Sequence, residues 1–220
     1  FPRRDFVATA LLLPAPAGAQ SVPRVIEARE GKLKLLGSAD TAIWGFDGET
    51  PGPLLRIRKG EALNLRLVNR LAQPTAIHWH GVRIPNAMDG VPGLTQQPVA
   101  PGGAFDIRFT PPDAGTFFYR SSAWPDAAEQ KGRGLYGALI VDEEAPPAVE
   151  QDVLLMLDDW RLDADGAHAG AFLDPADVRG EGRVGTTITV NSAQAPQVMK
   201  FAPNARVRLR LLNACNARMA

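Results

Sequence analysis

The feature that most constrains this chain is a period-two alternation of apolar and polar residues in short runs. Three runs show it clearly, at residues 63–67, 105–109 and 207–211. Turn-forming residues separate such runs, and the 220 residues include 21 glycines and 19 prolines. Alternation with one apolar face is typical of half-buried strands, and short strands at this spacing build antiparallel sandwiches or barrels. The sequence therefore predicts an all-β protein without a long amphipathic helix.

Charge and cysteine content exclude several classes of protein. The chain has 24 basic and 24 acidic residues, so it lacks the basic excess expected of a nucleic-acid binder. Its single cysteine excludes a disulfide scaffold and a cysteine-rich zinc site. No stretch has the length and apolarity of a membrane-spanning helix. We predict no nucleic-acid partner and no membrane span.

The first residues have the organisation of an export signal. Arg3 and Arg4 precede an apolar run at residues 7–13, and an Ala-x-Ala sequence follows at residues 17–19. A charged start, an apolar middle and a small-residue end are typical of such signals. Because the paired arginines resemble a twin-arginine signal, residues 1–19 predict export by that route and a periplasmic location.

An internal repeat is visible in the alternating runs. Residues 63–69 resemble residues 207–213, and the same offset, without gaps, pairs residues 54–57 with residues 198–201. Alternating strands can resemble one another by chance. The ungapped continuation favours duplication of a β-domain.

The repeat also predicts the domain organisation. An acidic, proline-rich stretch at residues 143–148 is typical of a linker. We predict one complete domain at residues 22–145 and the N-terminal part of a second at residues 148–220. In this interpretation Ala220 corresponds to Ala76, about halfway through the domain.

Two of the three histidines are candidates for metal binding. His78 and His80 flank Trp79, and residues i and i+2 of a strand point to the same side, roughly 6.5–7 Å apart. This spacing suits two neighbouring ions, or one ion with help from elsewhere, and imidazole favours copper, zinc, iron or nickel. The alternative is a pair of hydrogen-bonded histidines on a half-exposed strand. We expect His168 to be a solvated loop residue and Cys215 to be a small core residue.

A longer motif surrounds the histidine pair. His-Trp-His-Gly at residues 78–81 leads to Met-Asp-Gly-Val-Pro-Gly at residues 88–93, and Gly-Thr-Phe-Phe-Tyr follows at residues 115–119. Over residues 40–145 the chain closely resembles the first cupredoxin domain of the multicopper oxidases, the laccase-like family. Residues 186–218 resemble part of that family's second domain. The resemblance implies a cupredoxin-like Greek-key β-sandwich, one complete domain and part of another.

The resemblance also implies roles for individual residues. His78 corresponds to a ligand of the type 2 copper and His80 to a ligand of a type 3 copper, within a trinuclear cluster. Asp89 corresponds to an acid that helps to deliver protons to dioxygen. A turn residue preceding Gly90 is the alternative interpretation of Asp89, and both stay open.

The chain departs from the family at two ligand positions. After Gly-Thr-Phe-Phe-Tyr the family has two more type 3 histidines, where this chain has Arg120 and Ser122. A guanidinium has no lone pair to donate, and a serine hydroxyl is a poor copper ligand. We therefore expect copper as the cofactor, with poor binding of the type 3 pair.

Two functional hypotheses follow. The first is the N-terminal part of an exported multicopper oxidase that oxidises phenols or metal ions and reduces dioxygen to water. Its partners would be dioxygen, a small reducing substrate and the family's C-terminal domain. The second is a copper-depleted structural or interaction protein of the cell envelope, which Arg120 and Ser122 favour. The intact His78 and His80 favour the oxidase.

Overall fold

The computed structural model describes residues 22–37 and 39–219, so the predicted signal segment at residues 1–19 lies outside the described residues. Strands dominate these ranges, as the alternation predicts. The strands are β1 Arg24–Leu36, β2 Ala39–Phe46, β3 Leu55–Arg58, β4 Leu63–Asn69, β5 Ile77–His80, β6 Ala104–Phe109, β7 Gly115–Ser121, β8 Tyr136–Asp142, β9 Gln151–Trp160, β10 Thr187–Val190, β11 Ala193–Gln194 and β12 Val207–Asn213. The helices are α1 Ala127–Gly132 and α2 Pro175–Arg179, and a 3₁₀ turn spans Asn86–Met88.

Two four-stranded sheets enclose the first core. Their strand orders are β2-β1-β4-β6 and β3-β8-β7-β5. Most neighbouring strands are antiparallel, but β1 runs parallel to β4 and β3 runs parallel to β8. Strands distant in sequence are therefore neighbours in each sheet, and β5 lies at a sheet edge, where its outer face can serve a site.

The first core is built by the apolar positions of the alternating strands. Leu63, Leu65 and Leu67 of β4 are buried, as are Ile107 and Phe109 of β6. Both strands are thus confirmed, with the predicted face turned inward. Burial of such side chains removes roughly 1.5–3 kcal/mol each of unfavourable hydration, which is the main stabilisation of a sandwich.

A third sheet follows, with the order β11-β10-β9-β12. Its arrangement repeats part of the first sheet, because β9 pairs antiparallel with β10 and parallel with β12, as β1 does with β2 and β4. The repeat is incomplete: residues 198–201, which align with residues 54–57, form no strand. In the first unit β3 pairs with β8, and the described residues of the second unit offer no equivalent partner.

The alternation in β12 is confirmed, but its apolar face is not the buried one. Leu209 and Leu211 are 52% and 65% exposed, whereas Arg210 is 4% exposed. Arg210 contacts the first unit, because its guanidinium donates to Thr116 Oγ1 of β7 at 2.6 Å. Within its own sheet it also donates to both carboxylate oxygens of Asp152 on β9, at 2.6 and 2.8 Å. The polar face of β12 is therefore the one that docks on the preceding sheets.

None of the helices in the described ranges has the length and apolarity needed to cross a lipid bilayer.

Candidate metal centre

The two candidate ligands lie on β5, at the edge of the second sheet. His78 and His80 point to one side, with ring centroids 5.8 Å apart and nearly perpendicular planes. Trp79 points to the other side, is 1% exposed, and packs edge-on against Phe109 at 5.0 Å. The strand and its shared histidine face agree with the sequence, since a buried Trp79 requires the opposite orientation of its neighbours.

The loop after β5 fixes the His78 ring. His78 Nδ1 lies 2.9 Å from the backbone oxygen of Asp89 and 3.3 Å from its carboxylate Oδ1. A carbonyl oxygen can only accept, so Nδ1 carries the proton and Nε2 keeps a lone pair. Metal-bound histidines are commonly oriented in this way by their other ring nitrogen. The geometry thus gives Asp89 a positioning contact.

Gly90 allows this close approach. Its φ is +72°, and a Cβ there would lie 1.6 Å from the backbone oxygen of Ile77. Only glycine fits without displacing the loop or β5. The Asp-Gly pair therefore brings the Asp89 backbone onto the strand that carries His78.

The two departures from the family lie beside the histidines. Arg120 of β7 is directly opposite His78 in the antiparallel register. Its Nη1 donates to the backbone oxygen of Ser121 at 2.9 Å, and partial burial lowers its pKa, although a guanidinium stays protonated. Ser122 Oγ donates to the backbone oxygen of Gly90. Neither side chain offers a lone pair in the way that a histidine would.

A second cation lies near His80 that sequence reasoning missed. Lys131 of α1 donates from Nζ to the backbone oxygen of Cys215 and lies 6.0 Å from the centre of the Phe118 ring. No periodicity predicts the six-residue α1. Partial burial lowers the pKa of His80, and the charges of Arg120 and Lys131 lower it further.

His80, Arg120 and Lys131 line a common cavity of about 680 Å³. It lies between β7, α1, the segment at residues 172–183 and the end of β12. We call it the α1 groove.

The residues present fit one copper ion but not a copper pair. Two imidazoles on one face, with His78 Nε2 available, are suitable nitrogen ligands for copper. Where further ligands would complete a copper pair, β7 carries Arg120, and the hydroxyl of Ser122, the residue after β7, already donates to the backbone oxygen of Gly90. A fixed positive charge there repels a second cation.

Among the described residues, a second group with metal-ligating atoms is the cluster of Asp158, Asp159 and Cys215, whose ligand atoms all lie within 4.8 Å of one another. Three of its four carboxylate oxygens accept hydrogen bonds: Asp158 accepts from Tyr136 Oη at 2.7 Å and from the Asp159 N–H at 2.8 Å, and Asp159 Oδ2 accepts from the Gly185 N–H at 2.6 Å. Asp159 Oδ1 is buried without a partner among the described residues. Burial raises the pKa of Asp158 to about 7 and that of Cys215 to about 12, so a charged site is disfavoured. The cluster is a structural network, and Cys215 is buried as predicted.

His168 is not the solvated loop residue expected from sequence. Its Nε2 lies 3.0 Å from the backbone oxygen of Ala42, and its ring packs against Trp160 and Phe172, with centroids 5.9 and 5.2 Å away. Burial lowers its pKa to about 4, and the charge of Arg133 lowers it further. The loop folds back onto β2, a long-range contact that its local composition does not encode.

Comparison with known proteins identifies the family of the chain. A family model described as "Multicopper oxidase" matches residues 27–146. The copper resistance protein A homolog of Pseudomonas syringae pv. tomato (strain ATCC BAA-871 / DC3000) is 41% identical over 133 residues, 60% of this chain and 22% of the relative. Copper resistance protein A of Escherichia coli is 35% identical over 154 residues, 69% of this chain and 25% of the relative.

Solved structures agree as well. The crystal structure of a multi-copper oxidase from Pseudomonas thermotolerans superposes with a TM-score of 0.83 at 39% identity, covering 90% of this chain and 47% of that one. The chain thus spans less than half the length of each of these three proteins. The match confirms the all-β, cupredoxin-like fold of the described sheets. The family match, the shared fold and the His-Trp-His motif together show that the chain belongs to the multicopper oxidase family.

Proposed function

We propose that the chain is the N-terminal part of an exported, laccase-like multicopper oxidase, in which His78 and His80 hold one copper ion. The observation that carries the proposal is the pair of imidazoles on one face of β5. His78 Nδ1 is hydrogen-bonded to the backbone oxygen of Asp89, which leaves Nε2 available for a metal. The proposed activity of the whole protein is oxidation of phenols or metal ions, with reduction of dioxygen to water.

Copper supplies one-electron redox chemistry when it is bound, and the chain's own residues prepare its site. Asp89 orients the His78 ring through its backbone oxygen. Its carboxylate is partly exposed beside the ring, where it can hold a proton at Oδ1. We propose that this proton is one of the four that reduction of dioxygen consumes.

The same proposal extends to domain organisation. Residues 22–145 would be the first domain and residues 148–220 the N-terminal part of the second. The repeated pairing of β9 with β10 and β12 supports this assignment. Export to the periplasm by the twin-arginine route rests on residues 1–19 alone.

The second candidate is a copper-depleted member of the family with a structural role in the cell envelope. One observation favours it: Arg120 lies opposite His78, and Ser122 is bonded to Gly90, where copper ligands would be required for a pair. The two candidates differ in copper content, one ion or none for this chain.

Metal analysis of the 220-residue chain separates these candidates. After loading with Cu(II) and exhaustive dialysis, we expect one copper per chain, with an electron paramagnetic resonance signal showing nitrogen ligands. The double variant His78→Gln/His80→Gln should lose the metal. His168→Gln is the matched control, since it removes the remaining histidine and should leave the copper content unchanged.

Three results would contradict the proposal that His78 and His80 hold one copper ion. Wild-type protein without copper would favour the copper-depleted candidate. Copper retained by the double variant would place the metal elsewhere. Two tightly bound ions would show that Arg120 does not prevent a pair.

A further inference from the structure

We propose that Gln130 is a positioning residue of the metal site, whose buried side chain holds the strand that carries His78 and His80. The inference rests on the proposed function, because the site that Gln130 positions is the one proposed to bind copper. It is carried by the hydrogen bonds of one carboxamide, which joins α1, β7 and the segment that enters β5.

Gln130 is the buried residue of α1, with an exposed fraction of 0%. A carboxamide has two acceptor lone pairs and two N–H donors, and burying it without partners is costly. Its oxygen accepts from Thr75 Oγ1 at 2.8 Å and from Ser121 Oγ at 2.5 Å. Its nitrogen donates to the backbone oxygen of Pro74 at 2.9 Å and to Gln73 Oε1 at 3.3 Å. Every donor and lone pair of the group is therefore used.

The partners of this carboxamide lie at the beginning of β5. Thr75 is two residues before the strand and exchanges backbone hydrogen bonds of 3.0 and 2.7 Å with Val99. Ser121 is the last residue of β7 and lies opposite Ile77, the first residue of β5. A single oxygen atom of Gln130 thus binds both the segment that enters β5 and the end of its neighbouring strand.

The position of β5 depends on such bonds, because the strand is short and lies at the edge of its sheet. It has four residues and is hydrogen-bonded to β7 on one side. His78 directly follows Ile77, and His80 lies two residues further on the same face, so a shift at the start of the strand displaces both imidazoles. Hydrogen bonds are directional, whereas apolar contacts are not, and the bonds of Gln130 therefore fix the place of the strand as well as filling the core.

A buried hydroxyl elsewhere in the fold separates this role from a purely structural one. Thr41 is 0% exposed, like Thr75, and its Oγ1 donates to the backbone oxygen of Gly166 at 2.7 Å. Removal of either hydroxyl should lower the free energy of unfolding. Only removal of the Thr75 hydroxyl should change the histidine site.

Calorimetric titration of the 220-residue chain with Cu(II) tests the inference. Thr75→Val nearly keeps the side-chain volume and removes the hydrogen bond, and should weaken Cu(II) binding by about fivefold or more, the factor that one hydrogen bond is worth. Gln130→Leu removes the acceptor of two hydroxyls and should weaken binding by about tenfold or more. Thr75→Ser keeps the hydroxyl and should recover the wild-type affinity. Thr41→Val is the matched control and should bind Cu(II) as the wild type does.

Hydrogen exchange in the metal-free chain separates failure of this inference from failure of the proposed function. The backbone amides of β5 should exchange faster in Thr75→Val and Gln130→Leu by the same factors as above, and at the wild-type rate in Thr41→Val. If the wild-type chain bound no copper, the proposed function would fail, and exchange in β5 would still decide whether Gln130 holds the strand. If Gln130→Leu fails to fold, the comparison of Thr75→Val with Thr75→Ser decides.

Three results would overturn the inference. The first is unchanged exchange in β5 when the Thr75 hydroxyl is lost. The second is faster exchange without weaker copper binding in a chain whose wild type binds copper, which would reduce Gln130 to a structural residue. The third is an equal loss of copper affinity in Thr75→Val and Thr41→Val, which would show a general effect of lowered stability.

Discussion

Removing Arg210 and removing Asp152, the two members of one ion pair, should lower the free energy of unfolding by different amounts. Arg210 is almost fully buried, and among the described residues its one ion pair within 4.0 Å is with Asp152, while Asp142 and Glu143 act on its charge from further away. Asp152 is less buried and has a second cation, Arg56, at 3.1 Å. Removing the carboxylate therefore strands a buried charge, whereas removing the guanidinium leaves Asp152 paired.

The magnitudes follow from this difference. A buried charge that loses its ion-pair partner destabilises a protein by about 3–5 kcal/mol, so Asp152→Asn should lower the free energy of unfolding by that amount. In a chain of this size each kcal/mol lowers the melting temperature by about 2–4 °C, which predicts a loss of about 6–20 °C. Arg210→Met keeps much of the side-chain volume and leaves Asp152 with Arg56, and should cost about 1–2 kcal/mol.

Thermal unfolding followed by near-ultraviolet circular dichroism measures these differences. The double variant Arg210→Met/Asp152→Asn should be more stable than Asp152→Asn alone, because no buried charge then remains. The exposed pair of Arg83 and Asp113 is the matched control, and Asp113→Asn should leave the melting temperature nearly unchanged. If Arg210→Met were as costly as Asp152→Asn, or if the two costs simply added, the reasoning would be refuted.

Two further predictions concern a buried histidine and a glycine. The pKa of His168 is lowered to about 4 in the native state. Between about pH 6.5 and 4 the unfolded chain therefore binds a proton that the native state does not bind, and the free energy of unfolding should fall as the pH drops through this range. Because His168 is partly exposed, solvent screening should limit this loss of stability to about 1–2 kcal/mol. His168→Phe should shrink the difference in melting temperature between pH 7 and pH 4.5. An unchanged difference would count against His168 as the titrating group. Gly90→Ala should cost more than about 2 kcal/mol, because its Cβ would overlap the backbone oxygen of Ile77. It should also weaken copper binding at His78, whereas Gly60→Ala, with open space around the added Cβ, tests backbone strain alone.

Local period and motif were enough to predict the strands and the histidine face. The alternation at residues 63–67 and 105–109 correctly predicts β4 and β6 and their buried sides. The i, i+2 spacing of His78 and His80 around Trp79 predicts one shared face, since side-chain direction in a strand depends only on position. The family motif was likewise recognisable from consecutive residues, and the comparisons confirm it.

Tertiary structure decided what surrounds that face. Lys131 reaches the α1 groove only because α1 folds beside β7 and meets residues 215–216. The burial of Arg210 instead of Leu209 and the packing of His168 on β2 also arise between segments far apart in the chain.

The physical reason is the same in each case. A strand's two faces are fixed by backbone geometry, so sequence alone determined the apolar stripes, the paired histidines and the presence of Arg120 and Ser122 where the family has two more histidines. Which face is covered, and which charges meet, depends on how the sheets dock. Only the tertiary structure decided that Arg120 and Lys131 meet beside His80 in the α1 groove, and that the third sheet docks through Arg210.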